Sequence, residues 1–221
     1  MSQLSQFKTI GGVQLYRDTR GAILWKSSFA VNADGSPHAY GPDNSGLDYT
    51  DNAGSPGNWW GIYAPPDGQG EPLIQAAYHP APGHFISTTA LVNPTYPQDH
   101  PHRYIDSERY GFYVIPAGES FCKLGDVGLA LNTLTGDHFY FAMADIGPQN
   151  QIGEGSMLLA RCLGLPTDPR SGGTSQPIIA CVVLPDSDPG YKDWEPKCKL
   201  AIELLENWGG LNRLIQLAQS L

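Results

Sequence analysis

The sequence predicts a mainly β domain with peripheral helices, and three observations carry that expectation. Glycine and proline together make up about a fifth of the 221 residues, which suits short strands joined by many turns better than a helical bundle. Runs at 84–89, 110–115, 127–132, 138–144 and 178–184 are rich in apolar or β-branched residues, and each is bounded by Gly, Pro, Asn or Asp. Helical spacing of apolar residues enters only beyond residue 155.

In chain order, residues 13–29 form an entry segment of strand character, with Val13, Leu15, Ile23, Leu24 and Trp25 as candidates for burial. Residues 33–61 carry Asp-Gly, Ser-Pro, Gly-Pro and Pro-Gly pairs at close spacing, the chemistry of successive turns. So irregular a stretch inside a domain is either functional or pinned by side-chain hydrogen bonds. The run FYFAM at 139–143 lacks polar alternation and predicts a strand buried on both faces. It leads into Asp145-Ile146-Gly147-Pro148, a sharp turn, then Ile152-Gly153-Glu154-Gly155 and a helix with Ser156 as expected N-cap and Gly164 as its stop. Two more helices are expected, one opening at Pro196 and one after Gly209-Gly210, where Leu211, Leu214, Ile215, Ala218 and Leu221 recur at helical spacing. Both should pack outside the β core.

The length suits one domain. Hydrophobic residues at 41% and aromatics at 10% exclude a disordered acidic chain. A net charge of −9 argues against DNA, RNA or an anionic membrane surface as partner, since each is met through Lys and Arg, and it favours a cationic one. No apolar stretch approaches the length that spans a bilayer, and residues 1–12 have only Lys8 and no apolar run, so a signal peptide is not expected there. Cys122, Cys162, Cys181 and Cys198 have neither CxxC nor zinc-finger spacing and are expected as buried thiols or one or two disulfides. No metal or other cofactor is expected: His79, His84, His100 and His102 lack a ligand pattern, and there is no phosphate-binding loop or nucleophile elbow.

Hydrolysis of a glycosidic bond needs one carboxylic acid to protonate the leaving oxygen and one carboxylate to activate water or attack the sugar. Asp145, at the end of a buried strand, and Glu154, just before a helix, can be folded together by the Gly-Pro turn between them. An Asp at a strand end also serves as an ordinary turn former or cap, so the spacing alone leaves both readings open.

The block KLGDVGLALNTLTGDHFYFAMADIGPQNQIGEGSMLLARCLGL resembles the fungal-type chitosanases, glycoside hydrolase family seventy-five, whose essential acids are the Asp of an ADIGP-like motif and the Glu of a GEGS-like motif. These fall at Asp145 and Glu154. FAVNADGSPHAY, GLDYTDNAGSPGNWWGI, PAPGHFISTTAL, RYIDSERYGFYVIP and SGGTSQPIIACVVLP resemble that family's other blocks in the same order, so the likeness covers roughly residues 29–184, most of the chain. Residues 1–28 are then an N-terminal extension and 185–221 a C-terminal helical segment. More distantly, the ADIGP block resembles double-psi β-barrels of the barwin, expansin and rare-lipoprotein-A type, which implies a six-stranded double-psi β-barrel core.

The resemblance implies endo-hydrolysis of β-1,4-linked glucosamine in chitosan by a secreted, cofactor-free enzyme that inverts the anomeric carbon, with Asp145 as base and Glu154 as acid. The location stays open, because secretion is not matched by a leader. A helix N-terminus beside Glu154 should favour its ionised form, whereas a general acid needs a raised pKa, so the division of roles also stays open. Around the pair, Asp34, Asp43 and Asp48 can meet the ammonium groups of a polycation, Trp59 and Trp60 can stack on sugar rings, and Asp106 and Glu108 are further candidates. Each also has a structural reading, as a turn former or a core aromatic. The chain is expected to act as a monomer. The rival expectations are an expansin-like polysaccharide-binding module and a hydrolase of another amino-sugar polymer such as peptidoglycan.

Overall fold

The computed structural model describes residues 4–66 and 70–221. Ten strands and three α-helices follow one another among these residues: β1 (Leu4–Ile10), β2 (Val13–Asp18), β3 (Ile23–Asn32), β4 (Gly54–Ser55), β5 (Asn58–Trp59), β6 (Phe112–Pro116), β7 (Val127–Asn132), β8 (His138–Gly147), β9 (Glu154–Ser156), α1 (Met157–Cys162), β10 (Thr174–Val183), α2 (Trp194–Trp208) and α3 (Gly210–Ala218).

Six of the strands close a mixed barrel in the ring order β3-β10-β7-β8-β6-β9 and back to β3. The pairs β3–β9 and β6–β8 are parallel and the other ring pairs antiparallel. Closure leaves no free edge in the ring. The hairpin β1–β2 lies outside it, with Leu15 of β2 opposite Trp25 of β3. Thus the first half of β3 meets β2 and β10, while its last three residues, Ala30 to Asn32, run beside Glu154 to Ser156 of β9.

Strand alternation sorts the side chains. Trp25, Phe29, Val31, Tyr113, Ile115, Phe141, Met143, Ile179 and Cys181 fill the barrel interior, closed off by Leu159 and Leu163 around α1. Leu24, Leu129, Leu131, Ala180 and Val182 point outward, where Leu205, Trp208, Leu214 and Leu217 of α2 and α3 cover them. A third layer of Leu91, Ile105, Tyr110, Phe112, Val114, Ala142 and Ala144 lies under the long segment between β5 and β6. Strand β8 therefore has Phe141 and Met143 inside and Ala142 and Ala144 covered outside, which is why its sequence shows no polar alternation.

The mainly β architecture, the six-stranded ring and the outer helices follow the expectation; several boundaries do not. Residues 23–28 belong to β3 and hence to the ring, so the barrel begins before residue 29. Residues 84–89 form isolated bridges, Ile74 with Phe85 and Ile62 with Ser87, because both neighbours are themselves loop segments and offer no strand to pair with. Strand β8 runs on through Gly147, so the expected turn at 145–148 begins later. Helix α2 starts at Trp194, with Pro196 in its first turn, where a missing N–H costs no internal bond. Helix α3 leaves Ile215 exposed while Leu214 and Leu217 are buried. All four cysteines are free thiols, Cys122 and Cys181 buried.

The described residues between 33 and 110 are mostly irregular and are pinned by buried side chains. Gln75 donates to the carbonyls of Pro37 (2.6 Å) and Phe85 (3.0 Å) and accepts from Ala81 N–H (3.2 Å). Arg170 donates to the carbonyls of Asn44 and Gly46, both at 2.8 Å, and its guanidinium covers the Tyr49 ring. These ties hold one wall of a cleft against the barrel.

Candidate functional site

Near the ends of β3 and β8 and at the start of β9, three carboxyl groups meet. Asn32, the last residue of β3, organises them. Its side-chain oxygen accepts from Asp34 N–H at 2.7 Å, an Asx turn, and its amide nitrogen donates to Asp34 Oδ2 at 3.1 Å and Glu154 Oε1 at 2.6 Å. Tyr40 Oη donates to Asp34 Oδ1 at 2.8 Å. Asp145, only 7% exposed, receives the backbone N–H groups of Ala90 and Ile146 on Oδ1, both at 2.9 Å. The Asp34 and Asp145 carboxyls lie within hydrogen-bonding reach of each other.

Two glycines make the approach possible. Gly153 has φ +112, and a Cβ there would stand 2.6 Å from the Ser28 carbonyl, so any side chain would push Glu154 off β3. A Cβ at Gly147 would stand 2.7 Å from Val114 Cγ1 and 3.3 Å from Glu154 Oε2. Ser156 caps α1 by accepting from Leu159 N–H at 3.2 Å, and it also accepts from Phe112 N–H at 3.0 Å, tying the segment after Glu154 to β6.

The electrostatics follow from like charges held out of water. Burial pushes Asp145 well above the usual carboxylate range, and the Asp34 charge adds to this while its two backbone donors oppose it. Burial likewise lifts Asp34 to about 7, the Tyr40 hydrogen bond opposing and Glu154 adding. Glu154 is raised by burial, against the Asn32 hydrogen bond and with help from Asp48. No cation is among the groups that shift these three.

A cleft of about 640 Å³ opens in front of Asp34 and Glu154. Asp48, Asp51, Asn52, Tyr40, Gln151 and Trp60 help line it, and no Lys, Arg or His is among its described lining residues. Trp60 is 64% exposed and is steadied by a 3.2 Å hydrogen bond from Nε1 to the Asn52 carbonyl, leaving a flat aromatic face at the wall. Asp48 is buried, accepting Tyr49 N–H at 2.7 Å and the Asn52 amide at 2.9 Å, and burial raises its pKa.

Of the residues singled out in the sequence, Asp34, Asp48, Trp60 and Glu154 line this cleft, and Asp145 lies behind Asp34. Four others do not. Asp43 is an exposed left-handed residue (φ 54) in a short 3-10 turn, outside the cleft lining. Trp59 is half-buried on the Ala33–Ala39–Tyr40 cluster, with Nε1 donating to the Gly70 carbonyl at 2.8 Å. Asp106 and Glu108 line a separate cleft, where Asp106 accepts Glu108 N–H at 2.9 Å and Glu108 accepts Ser36 Oγ at 2.6 Å. The Trp59, Asp106 and Glu108 side chains are spent on local hydrogen bonds that shape the loops.

Asn32, Tyr40, Asp51, Asn52 and Gln151 enter the site without having been singled out. The Asn-Ala-Asp sequence directly after an apolar strand was the available signal for the first, because Asx turns form in that setting.

The fold and site together define a closed six-stranded β-barrel bearing a three-carboxyl cluster on an acidic cleft. No protein-family model matches this chain, and no curated protein matches it either.

Proposed function

We propose that this protein is a glycoside hydrolase that cleaves β-1,4 linkages between glucosamine units inside chitosan chains, with inversion at the anomeric carbon. The observation that carries this reading is the cluster of Asp34, Asp145 and Glu154, with no cation among the groups that shift them, in which Asp34 and Glu154 line a cleft with further acids and an exposed Trp60 and Asp145 lies behind Asp34. A carboxyl whose pKa is raised by burial holds its proton more firmly than a free one and can deliver it to a leaving oxygen, and Glu154 is such a group facing the cleft. Asp145 belongs to the opposite, water-activating side of the reaction. Asp48 and Asp51 supply the negative field that draws in ammonium groups, and Trp60 offers the apolar face on which a pyranose ring can lie.

The resemblance of the ADIGP and GEGS segments to fungal-type chitosanases supports the same chemistry. It also supports the order of roles, with Glu154 as acid.

The test is incubation with chitosans of graded acetylation, with mass spectrometry of the products and proton NMR of the freshly formed reducing ends. Internal cleavage that weakens as acetylation rises, with the α-anomer appearing first, is expected. Binding without cleavage would turn the assignment to a wall-binding module. Early β-anomer would replace inversion by a covalent intermediate.

A further inference from the structure

We propose that the water-activating base is a two-carboxyl unit in which Asp34 presents its oxygen to the cleft and Asp145 stands behind it as a positioning residue. This assignment rests on the hydrolase reading above and refines its base side.

The geometry separates the two aspartates. Asp34 lines the cleft, whereas Asp145 is absent from its wall and nearly sealed from solvent. The two backbone N–H groups on Asp145 Oδ1 fix that carboxyl in place, which leaves its other oxygen to deal with Asp34. Asp34 is held from two further directions, by Tyr40 Oη and by the Asn32 amide. That same Asn32 nitrogen holds Glu154 at 2.6 Å, so the candidate acid and the candidate base are positioned by one side chain. Asp145 has no comparable link to Glu154 among the described hydrogen bonds. The titratable groups that act on Asp34 are Tyr40, Asp145 and Glu154, and none of them is a cation. A proton retained by the more deeply buried Asp145 and shared with Asp34 leaves Asp34 as the member that ionises towards the cleft.

The step balances as follows. A water oxygen forms a bond to the anomeric carbon while the bond from that carbon to the leaving oxygen breaks. The released electron pair stays on the leaving oxygen, which takes the proton of Glu154. The proton lost by the water goes to the Asp34 carboxylate. Glu154 ends ionised and Asp34 protonated, and exchange with solvent water restores both.

The test uses the full chain, a glucosamine hexamer as substrate, and three variants, Asp34→Ala, Asp34→Asn and Asp145→Ala, with circular dichroism as the check on folding. Azide is a nucleophile that needs no base, so it can replace water where the base has been removed. For Asp34→Ala we expect kcat to fall at least about a hundredfold, the low end for a positioned base. Added sodium azide should restore at least tenfold, with an α-glycosyl azide in the mass spectrum. Asp34→Asn should lose the acidic limb of the pH profile, and Asp145→Ala should gain nothing from azide. Activity within a few-fold of the unmodified protein in a folded Asp34→Asn overturns the assignment. So does rescue of Asp145→Ala in place of Asp34→Ala, or loss without rescue in folded Asp34→Ala; in each case the hydrolase reading survives. Failure of the unmodified protein to cleave the hexamer removes that reading itself, and this assignment with it.

Discussion

The Lys197 ammonium group has no exposed surface and donates to Asp188 Oδ2 at 2.6 Å and to the carbonyls of Gly125, Asp188 and Gly190 at 2.9–3.1 Å. Asp18, buried under α2 and α3, accepts Trp208 Nε1 at 2.8 Å and Arg213 Nη2 at 2.9 Å on one oxygen and two backbone N–H groups on the other. Asp145 is buried to a similar degree, yet its charged neighbours are Asp34 and Glu154. In the first two places an opposite charge and fixed dipoles offset part of the loss of water, although burial still lowers the Lys197 pKa. In the third, like charges are crowded together, which disfavours ionisation and costs stability whenever the groups do ionise. The one region ties the C-terminal helices and their loop to the barrel; the other gathers carboxyls with raised pKa values beside a cleft.

The comparison breaks most visibly at Lys197. Lys197→Met should lower the unfolding free energy by about 3–5 kcal/mol, since it strands a carboxylate and three carbonyls without their donor. Urea titration measures the loss. Turnover per folded molecule should be unchanged, because neither Lys197 nor any of its hydrogen-bond partners lines the cleft. A loss under about 1 kcal/mol would mean that Lys192, also bonded to Asp188 at 2.6 Å, suffices by itself.

At the carboxyl cluster the sign reverses. Asp34, Asp145 and Glu154 have folded-state pKa values above their ordinary ones, so between those limits the folded chain binds more protons than the unfolded one. Their contribution is fully present below the ordinary carboxylate values and is lost as pH rises; for Asp34 the window runs from 3.8 to about 7. Asp168 and Asp188, whose pKa values are depressed, act in the opposite direction, so the informative quantity is a difference between variants. Asp145→Asn and Glu154→Gln should each raise Tm relative to the unmodified chain at pH 7 and have no such advantage near pH 4. Calorimetry across that range checks this, and equal Tm differences at both ends would remove the like-charge account.

The smallest effect is expected at the cleft wall. Trp60→Ala should raise KM for soluble chitosan by roughly fivefold, the value of a stacking contact of about 1 kcal/mol. The fold should change by no more than about 0.5 kcal/mol, since the ring is exposed. An unchanged KM would place the sugar elsewhere in the cleft.

Much of the scaffold was legible because it is written in local pattern. Strand β7 spans the expected residues, β8 and β10 differ only at their ends, and Ser156 and Gly164 punctuate α1 as expected. Residues 33–61 were legible only as turn-rich and 84–89 were expected as a strand, because the bridges here join one loop to another and the conformation depends on buried groups such as Gln75. The same limit applied to the site. Asp145 and Glu154 stand close in sequence, on either side of a turn, whereas the Asn32 link to Glu154 spans 122 residues. Asp34, Asp43 and Asp48 looked alike as turn-region aspartates, and only burial distinguishes the first from the second.

Residue type and spacing by themselves determined a mainly β chain with late helices, an acidic character and two nearby carboxylates, since each depends on neighbours within a few positions. Closure of the barrel decided the rest. It set β9 beside β3, brought Asp34 and Asp145 together from distant parts of the chain, and buried Asp145 behind Asp34. A carboxyl group's proton affinity depends on what surrounds it in three dimensions, and no stretch of sequence contains that environment.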